Sequence, residues 1–383
     1  MLLLAIISGV VIIFIVLLDA FETVVLPRRV ARHFRLTAFF YRRTWIPWRR
    51  IAGRIPSQAR REAFLGYFGP LSLIFLLVFW AAGLILGFAL LQYGTGEHVR
   101  LGSEQITFGA LVYHSGETFF TLGYGDILPV SGLSRTLAVI EAGMGFGFLG
   151  AVIGYLPTIY GAFSRREIQI SLLDARAGSP PTAAELLGRF GNCPNQEGLD
   201  LILHEWEHWA AEVLESHLSY SVLSFYRSQH NNQSWLGALT TILDASALVI
   251  SGVDGLRKEQ AKLTFAMARH AIVDLAQVLN ASYDPQLPER LTAEGLAGLR
   301  QHLEARKVKL HTDAEAEQKL TELRGLYEPY AQAMARTLLI TLPPWMHPEK
   351  RKDNWQAGPW DRAIQARSLT MVPHHTRKAD EHF

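Results

Sequence analysis

The residues that decide the fold are Thr-Leu-Gly-Tyr-Gly-Asp at positions 121–126. Two glycines flank one tyrosine, and glycine adopts left-handed backbone angles that other residues resist. Alternating such angles turns successive carbonyls in one direction, and a ring of carbonyls can replace the water shell of a cation. The apolar residues 107–120 are too few to cross a bilayer. They predict a re-entrant helix that places 121–126 at membrane depth, where irregular backbone must line water or be buried in protein.

Long apolar segments on both sides predict membrane-spanning helices, which need roughly 20 apolar residues each. Segments 2–25, 64–93 and 133–163 meet this condition. The first is expected to be a retained helix and not a signal peptide, because no basic stretch precedes it and no small-x-small cleavage site precedes Asp19. With 49% hydrophobic and 19% charged residues among 383, the chain is not a single soluble globule. The lone Cys193 excludes a disulfide scaffold and a cysteine-rich zinc module.

Arginine placement predicts the orientation in the cell membrane. Residues 23–61 contain eleven arginines with no lysine, aspartate or glutamate, and Arg165 and Arg166 follow the third span. Positive charge favours the cytoplasmic side. We therefore expect a multi-pass protein whose N-terminus lies outside and whose residues after 163 lie in the cytoplasm.

The arginine-rich segment itself is expected to lie at the membrane interface. Arg29, Arg32 and Arg35 have the spacing of a voltage sensor, but Pro27 precedes them and a sensor domain needs more helices than come before the second span. Trp45, Trp48 and the nearby arginines are typical of short interfacial helices.

The stretch 64–163 resembles the two-helix pore module of potassium channels, and its local pattern is most similar to the proton-gated bacterial potassium channel. The resemblance is carried by T-x-G-Y-G-D after a 14-residue apolar segment, between two spans, and by Pro129. It implies a selectivity filter that binds dehydrated K⁺ ions, with no organic cofactor. The implied filter residues, whose backbone lines the pore, are Thr121, Leu122, Gly123, Tyr124 and Gly125.

The same resemblance implies a supporting layer behind the filter. Glu117 lies nine residues before Asp126 and is expected to share a proton with it; alternatively Glu117 bonds filter amides. Tyr113 is expected to donate a hydrogen bond towards Asp126. His114 departs from the family pattern, as either a packed neutral histidine or a pH-sensitive group.

The third span carries the implied gate. Gly145 lies at the hinge position of the family's inner helix, and Pro157 removes a backbone hydrogen bond near the cytoplasmic end. Glu141 is an acid inside this span, which marks a functional or structural site. It either faces the ion cavity or bonds a neighbouring helix, near Asp19 or Glu22.

One filter per chain predicts a homotetramer, since a closed ring needs four copies. The predicted fold is an all-α membrane protein in contact with lipid, and no nucleic-acid partner is expected. Helical patterns at 182–190, 197–228, 234–250, 257–281, 291–306 and 313–340 predict a cytoplasmic bundle that regulates the pore through an unknown ligand or protein. The predicted parts are a first span (1–26), a basic cytoplasmic or interfacial segment (27–62), a pore module (63–164), a cytoplasmic helical domain (165–345) and a polar tail (346–383).

Residues 204–208 read His-Glu-Trp-Glu-His and match the H-E-x-x-H helix of zinc peptidases. In the alternative hypothesis of a membrane zinc metallopeptidase, His204 and His208 bind the metal and Glu205 is the base. Helical spacing instead places both histidines opposite the apolar face, which favours a solvated surface. The same spacing places His217 on the apolar face as a core histidine. The sequence therefore predicts a channel and not an enzyme.

Overall fold

The computed structural model describes residues 1–26, 36–96, 99–100, 107–190, 197–230, 232–347 and 360. Apart from one short β-ribbon, the regular structure of these residues is helical, so the protein is an all-α membrane protein with a helical C-terminal region. Its helices are α1 (Leu2–Ala20), α2 (Leu36–Ala52), α3 (Gln58–Gly66), α4 (Phe68–Thr95), α5 (Phe108–Phe119), α6 (Gly132–Ala177), α7 (Ala183–Phe190), α8 (Glu197–Ser219), α9 (Trp235–Gly252), α10 (Glu259–Val278), α11 (Ala293–Ala305), α12 (Ala314–Gly325) and α13 (Glu328–Leu338).

Two further helical turns and the ribbon complete the described structure. Helix α1 continues as a π-helical turn over Phe21–Val25, and a 3₁₀ turn covers Ser221–Phe225. Strands β1 (Val99–Arg100) and β2 (Leu128–Pro129) pair antiparallel. The arginines at 28–35 and the tail at 348–383, except residue 360, lie outside the described residues.

The three predicted spans coincide with α1, α4 and α6. Four stretches in the described part are long and apolar enough to cross a membrane: Leu2–Val25, Gln58–Thr95, Gly132–Ala177 and Trp235–Gly252. The last is α9, of which 94% is buried inside the protein. An apolar helix surrounded by other helices is a core helix, so α9 is the centre of the C-terminal region.

Asp19 joins helices α1, α2 and α4. Its carboxylate is fully buried and accepts hydrogen bonds from the Thr37 amide (3.1 Å) and hydroxyl (2.5 Å). It also accepts one from the Trp80 indole at 3.0 Å. A buried carboxylate needs several such donors, and here they tie the end of α1 to the start of α2 and the middle of α4.

Helix α6 does not end at the predicted domain boundary of 164/165. It runs unbroken for 46 residues, about 69 Å, and carries Ile170, Leu173 and Ala177 into the core of the C-terminal region. The charged residues after the span are compatible with a helix, whereas Gly178 ends it at a φ of 84°. The segment 178–182 therefore lies after the helix, and the predicted boundary at 164/165 falls within it.

The C-terminal helices follow the predicted pattern with two differences. The helix predicted over 197–228 ends at Ser219, and the helix predicted over 313–340 consists of α12 and α13. The break between α12 and α13 precedes Pro329, which lies in the first turn of α13. Proline has no backbone N–H and therefore cannot continue the preceding helix.

Residues 220–228 connect the C-terminal region to the membrane helices. The Phe225 ring lies 5.1 Å from Trp45 and 5.2 Å from Phe68, measured between centroids. The Trp45 indole also donates to the Thr337 carbonyl at 3.0 Å. Trp45 is thus buried in protein, because the aromatic residues of 220–228 cover it.

Arg166 holds the same segment to α6. Its guanidinium donates to the carbonyls of Leu223 and Tyr226, each at 2.9 Å, and lies 3.1 Å from the His217 ring nitrogen. The predicted core position of His217 is confirmed, since the residue is fully buried. Arg166 therefore links α6 to α8 and to the segment that follows it.

Candidate functional site

The short helix α5 positions the loop at 121–126. It begins at Thr107, whose hydroxyl accepts a hydrogen bond from the Ala110 amide at 3.2 Å, an N-terminal cap. Its 12 residues span about 18 Å, roughly half of a bilayer. At its end the Leu122 amide donates to the Glu117 carbonyl at 2.8 Å and turns the chain into the loop. The predicted re-entrant helix is thus present between α4 and α6.

The backbone of the loop alternates in handedness. The φ angles are +57° at Thr121, +62° at Gly123 and +77° at Gly125, whereas Leu122 and Tyr124 between them have negative φ. For Thr121 the left-handed angle costs about 1–2 kcal/mol, which the surrounding packing must offset. Alternation of this kind presents successive carbonyls to one side of the chain, as the glycine pattern of the loop requires for cation coordination.

A buried histidine–carboxylate pair lies behind the loop. His114 Nδ1 is 3.1 Å from Glu117 Oε1, and both residues are less than 5% exposed. The other polar atoms of the pair, His114 Nε2 and Glu117 Oε2, have no hydrogen-bond partner among the described residues. The helical i, i+3 spacing could have revealed this pair in the sequence.

The pair differs from the expected contact between Glu117 and Asp126. Among the described residues, Asp126 accepts from the Ile127 amide at 3.1 Å and interacts with the Tyr113 hydroxyl, as expected for Tyr113. Glu117 is instead bonded to His114. His114 and Glu117 lie on one face of α5. Glu117 Oε1 therefore bonds to His114 and not to Asp126.

Glu141 joins the helices around the loop. It is fully buried and hydrogen-bonded to Ser115 Oγ on α5. The same hydroxyl donates to the Ile85 carbonyl of α4 at 2.8 Å. Ser115 therefore lies between the Glu141 carboxyl of α6 and the Ile85 carbonyl of α4, and links the two helices. Of the two alternatives, bonding to a neighbouring helix is correct, with Ser115 and not Asp19 or Glu22 as partner.

Gly145 packs directly against the carboxyl end of α5. A Cβ atom there would lie 1.8 Å from the Phe119 carbonyl oxygen and 2.7 Å from its carbon. Helix α6 continues through both Gly145 and Pro157. In this structure Gly145 therefore serves close packing against the end of α5, and neither residue of the predicted gating hinge interrupts the helix.

The H-E-x-x-H segment lies on a solvated face of α8. The His204 side chain is 53% exposed, and Glu205 forms an ion pair with Arg176 at 3.0 Å. The His204 and His208 rings are 4.7 Å apart, but no group of three histidine, cysteine, aspartate or glutamate side chains is suited to a metal in the described part of the chain. The metallopeptidase alternative has no support.

Comparison with known proteins identifies the class of the site. Residues 73–160, which contain most of α4, the loop and the membrane part of α6, match the family model described as "Ion channel". The match supports an ion channel in the membrane.

Two curated proteins are similar to parts of the chain. An uncharacterized membrane protein, YdjJ, of Bacillus subtilis (strain 168) is 22% identical over 218 residues, which are 56% of this chain and 62% of YdjJ. Protein LctB of Geobacillus stearothermophilus is 34% identical over 83 residues, 19% of this chain and 61% of LctB. The chain thus spans less than two thirds of these relatives. No solved structure gave a significant match.

Proposed function

We propose that the protein is a potassium-selective channel that conducts K⁺ passively through a homotetrameric pore. The observation that carries the proposal is the alternating backbone of 121–125, held between a re-entrant helix and a spanning helix. Four such segments around one axis form stacked rings of carbonyl oxygens that replace the water of a dehydrated cation. The chain contains one segment of this kind, so four chains complete the ring.

The proposed topology follows from the arginines. With residues 27–62 and 165–166 on the cytoplasmic side of the cell membrane, the N-terminus lies outside and the helical C-terminal region lies in the cytoplasm. Helix α6 then lines the pore and enters that region without a break. Its contacts through Arg166 supply a route by which the C-terminal region gates the pore.

Flux through reconstituted protein tests the proposal. We expect K⁺ flux to exceed Na⁺ flux in proteoliposomes and to be lost in Gly123→Ala, because alanine resists a φ of +62°. Gly116→Ala is the matched control, since it lies in α5 and a Cβ there meets no atom within 4 Å. Native mass spectrometry measures the number of subunits.

Two results would contradict the proposal. One is equal K⁺ and Na⁺ flux through the wild type. The other is selective K⁺ flux that survives in a Gly123→Ala protein whose assembly matches the wild type.

A further inference from the structure

Helix α2 has one face packed on protein and another face that is largely exposed. Thr37, Tyr41 and Trp45 are buried on the packed face. Successive residues of a helix are rotated by about 100°, so the opposite side carries a second set of residues. This set, the outer face of α2, consists of Phe39, Arg42, Arg43, Ile46, Arg49 and Arg50. Exposed apolar side chains thus alternate with arginines on the outer face.

The arginines of the outer face have no acidic partner. Residues 23–61 contain no aspartate or glutamate, and these guanidinium groups form no ion pair or hydrogen bond with the described residues. Arg43 instead lies over the Phe39 ring, 5.0 Å from its centroid. The exposed Arg257 of the C-terminal region differs, since it pairs with Asp200 at 3.0 Å. Arginine binds phosphate groups through two parallel N–H donors, so the outer face is complementary to a phosphate-bearing anion.

The start of α2 lies level with the end of the first span. Thr37 bonds to Asp19, which lies in the last turn of α1 and also bonds to Trp80 of α4. Arg42 and Arg43 follow Thr37 by about 8–9 Å along the helix. They therefore lie where an apolar span gives way to a basic segment, which is the depth at which arginines attract anionic lipids.

Apolar residues of α4 lie next to α2 at this depth. The Phe40 and Phe79 rings pack together, with centroids 5.7 Å apart. Phe79 is exposed on its other side, and Phe75, one turn earlier in α4, is 54% exposed. A soluble anion would leave these rings uncovered, whereas the acyl chains of a phospholipid would cover them.

We propose that the outer face of α2 binds an anionic phospholipid of the membrane. The phosphate group of the lipid lies on Arg42 and Arg43, and its acyl chains lie along Phe75 and Phe79. The side chains of the outer face supply the charge, and α4 supplies the apolar surface.

The bound lipid acts on the pore through the packed face of α2. The Trp45 indole donates to the Thr337 carbonyl at 3.0 Å, and its ring lies 5.1 Å from Phe225. A lipid that holds α2 against α4 therefore also stabilises its contacts with the C-terminal region, and we expect it to raise K⁺ flux. This regulatory role rests on the proposed channel function, whereas the lipid binding does not.

Native mass spectrometry of the full chain in detergent tests the binding. The probes are phosphatidylglycerol, which is anionic, and phosphatidylcholine with the same acyl chains, which carries no net charge. We expect phosphatidylglycerol to bind more tightly, and the difference to shrink as salt is added, because salt screens exposed charges. Glycerophosphoglycerol, the same headgroup without acyl chains, is expected to bind much more weakly than the lipid.

Arg42→Gln/Arg43→Gln removes two charges from the outer face. We expect it to weaken phosphatidylglycerol binding about 30-fold and to leave phosphatidylcholine binding unchanged. Lys262→Gln/Lys309→Gln is the matched control, because both lysines are exposed in the C-terminal region and the variant loses the same two charges. If the arginine variant does not fold, Arg49→Gln/Arg50→Gln on the same face takes its place.

The possible outcomes separate binding from regulation. The lipid site is wrong if both lipids bind the wild type equally, or if the arginine variant binds phosphatidylglycerol as tightly as the lysine control. Equal affinity for glycerophosphoglycerol and phosphatidylglycerol would show a site for a soluble anion and overturn the phospholipid as its occupant.

Flux measurements test the regulatory role. If the wild type conducts K⁺ equally in vesicles of phosphatidylcholine alone and in vesicles that also contain phosphatidylglycerol, the regulatory role alone is overturned. Phosphatidylglycerol binding without selective flux in either kind of vesicle overturns the channel function and leaves the lipid site in place.

Discussion

Gly145→Ala tests the contact between α6 and the end of α5. The added Cβ would lie 1.8 Å from the Phe119 carbonyl oxygen, and real Cβ contacts stay beyond 3.0 Å. The two helices must therefore separate by more than about 1.2 Å. Overpacking of this kind costs about 1–3 kcal/mol per chain. Phe119 lies two residues before Thr121, so the displacement also reaches the loop. A binding site tolerates a displacement of only about 0.5 Å.

The assay combines stability and flux. We expect Gly145→Ala to lower the thermal unfolding midpoint and to abolish selective K⁺ flux in proteoliposomes. Gly147→Ala is the control, because a Cβ there meets no atom within 4 Å. In the control, the higher helix propensity of alanine stabilises α6 by up to about 1 kcal/mol. The thermal unfolding midpoint of Gly147→Ala is therefore expected to equal or exceed that of the wild type.

One result would contradict a steric role for Gly145. If Gly145→Ala unfolds at or above the midpoint of Gly147→Ala while its flux falls, the glycine acts as a hinge. The steric contact with Phe119 would then not be the cause of the lost flux.

Three further predictions concern buried polar groups. Ser115→Ala should lower the free energy of unfolding by about 1–3 kcal/mol, because it leaves the Glu141 carboxyl without its partner, and Ser115→Thr should lower it less if the hydroxyl is what matters. Asp19→Asn should destabilise by about 1–3 kcal/mol in denaturant unfolding, because it weakens three hydrogen bonds to a charged acceptor; an unchanged midpoint would show that the charge is not needed. Burial and a neighbouring guanidinium hold the pKa of His217 well below its usual value of 6.5, so the unfolded chain takes up a proton that the folded protein does not. The free energy of unfolding should thus fall by up to about 1.4 kcal/mol per pH unit below about pH 6.5, and His217→Gln should lose this part of the fall; an equal pH slope in both proteins would contradict the assignment.

The architecture could be predicted wherever it depends on local sequence. Hydrophobic length predicted the three spans, and the short apolar segment 107–120 predicted the re-entrant helix. The glycines at 123 and 125 predicted left-handed backbone, because no other residue adopts it as readily. Periodicity placed His217 in the core and the H-E-x-x-H segment on the surface, since one helical face of α8 carries the apolar side chains.

The partners of buried polar groups on neighbouring helices could not be predicted. Sequence periodicity indicates which face of a helix is buried, but the rotation and offset between two packed helices decide which atoms meet. Glu141 of α6 therefore bonds Ser115 of α5, and not Asp19 or Glu22. The close packing of Gly145 could not be predicted for the same reason, since only its distance to Phe119 shows that a side chain has no room.

The sequence alone determined the pore-loop motif, the membrane spans and the helical character of the C-terminal region, because each depends on residues that are close in the chain. Only the tertiary structure decided that α6 joins the two regions as one helix and that residues 220–228 dock on the membrane helices. These features arise from contacts between distant residues, such as Arg166 with Tyr226 and Trp45 with Thr337. Their free energy depends on how the packed surfaces fit together, which composition and spacing do not contain.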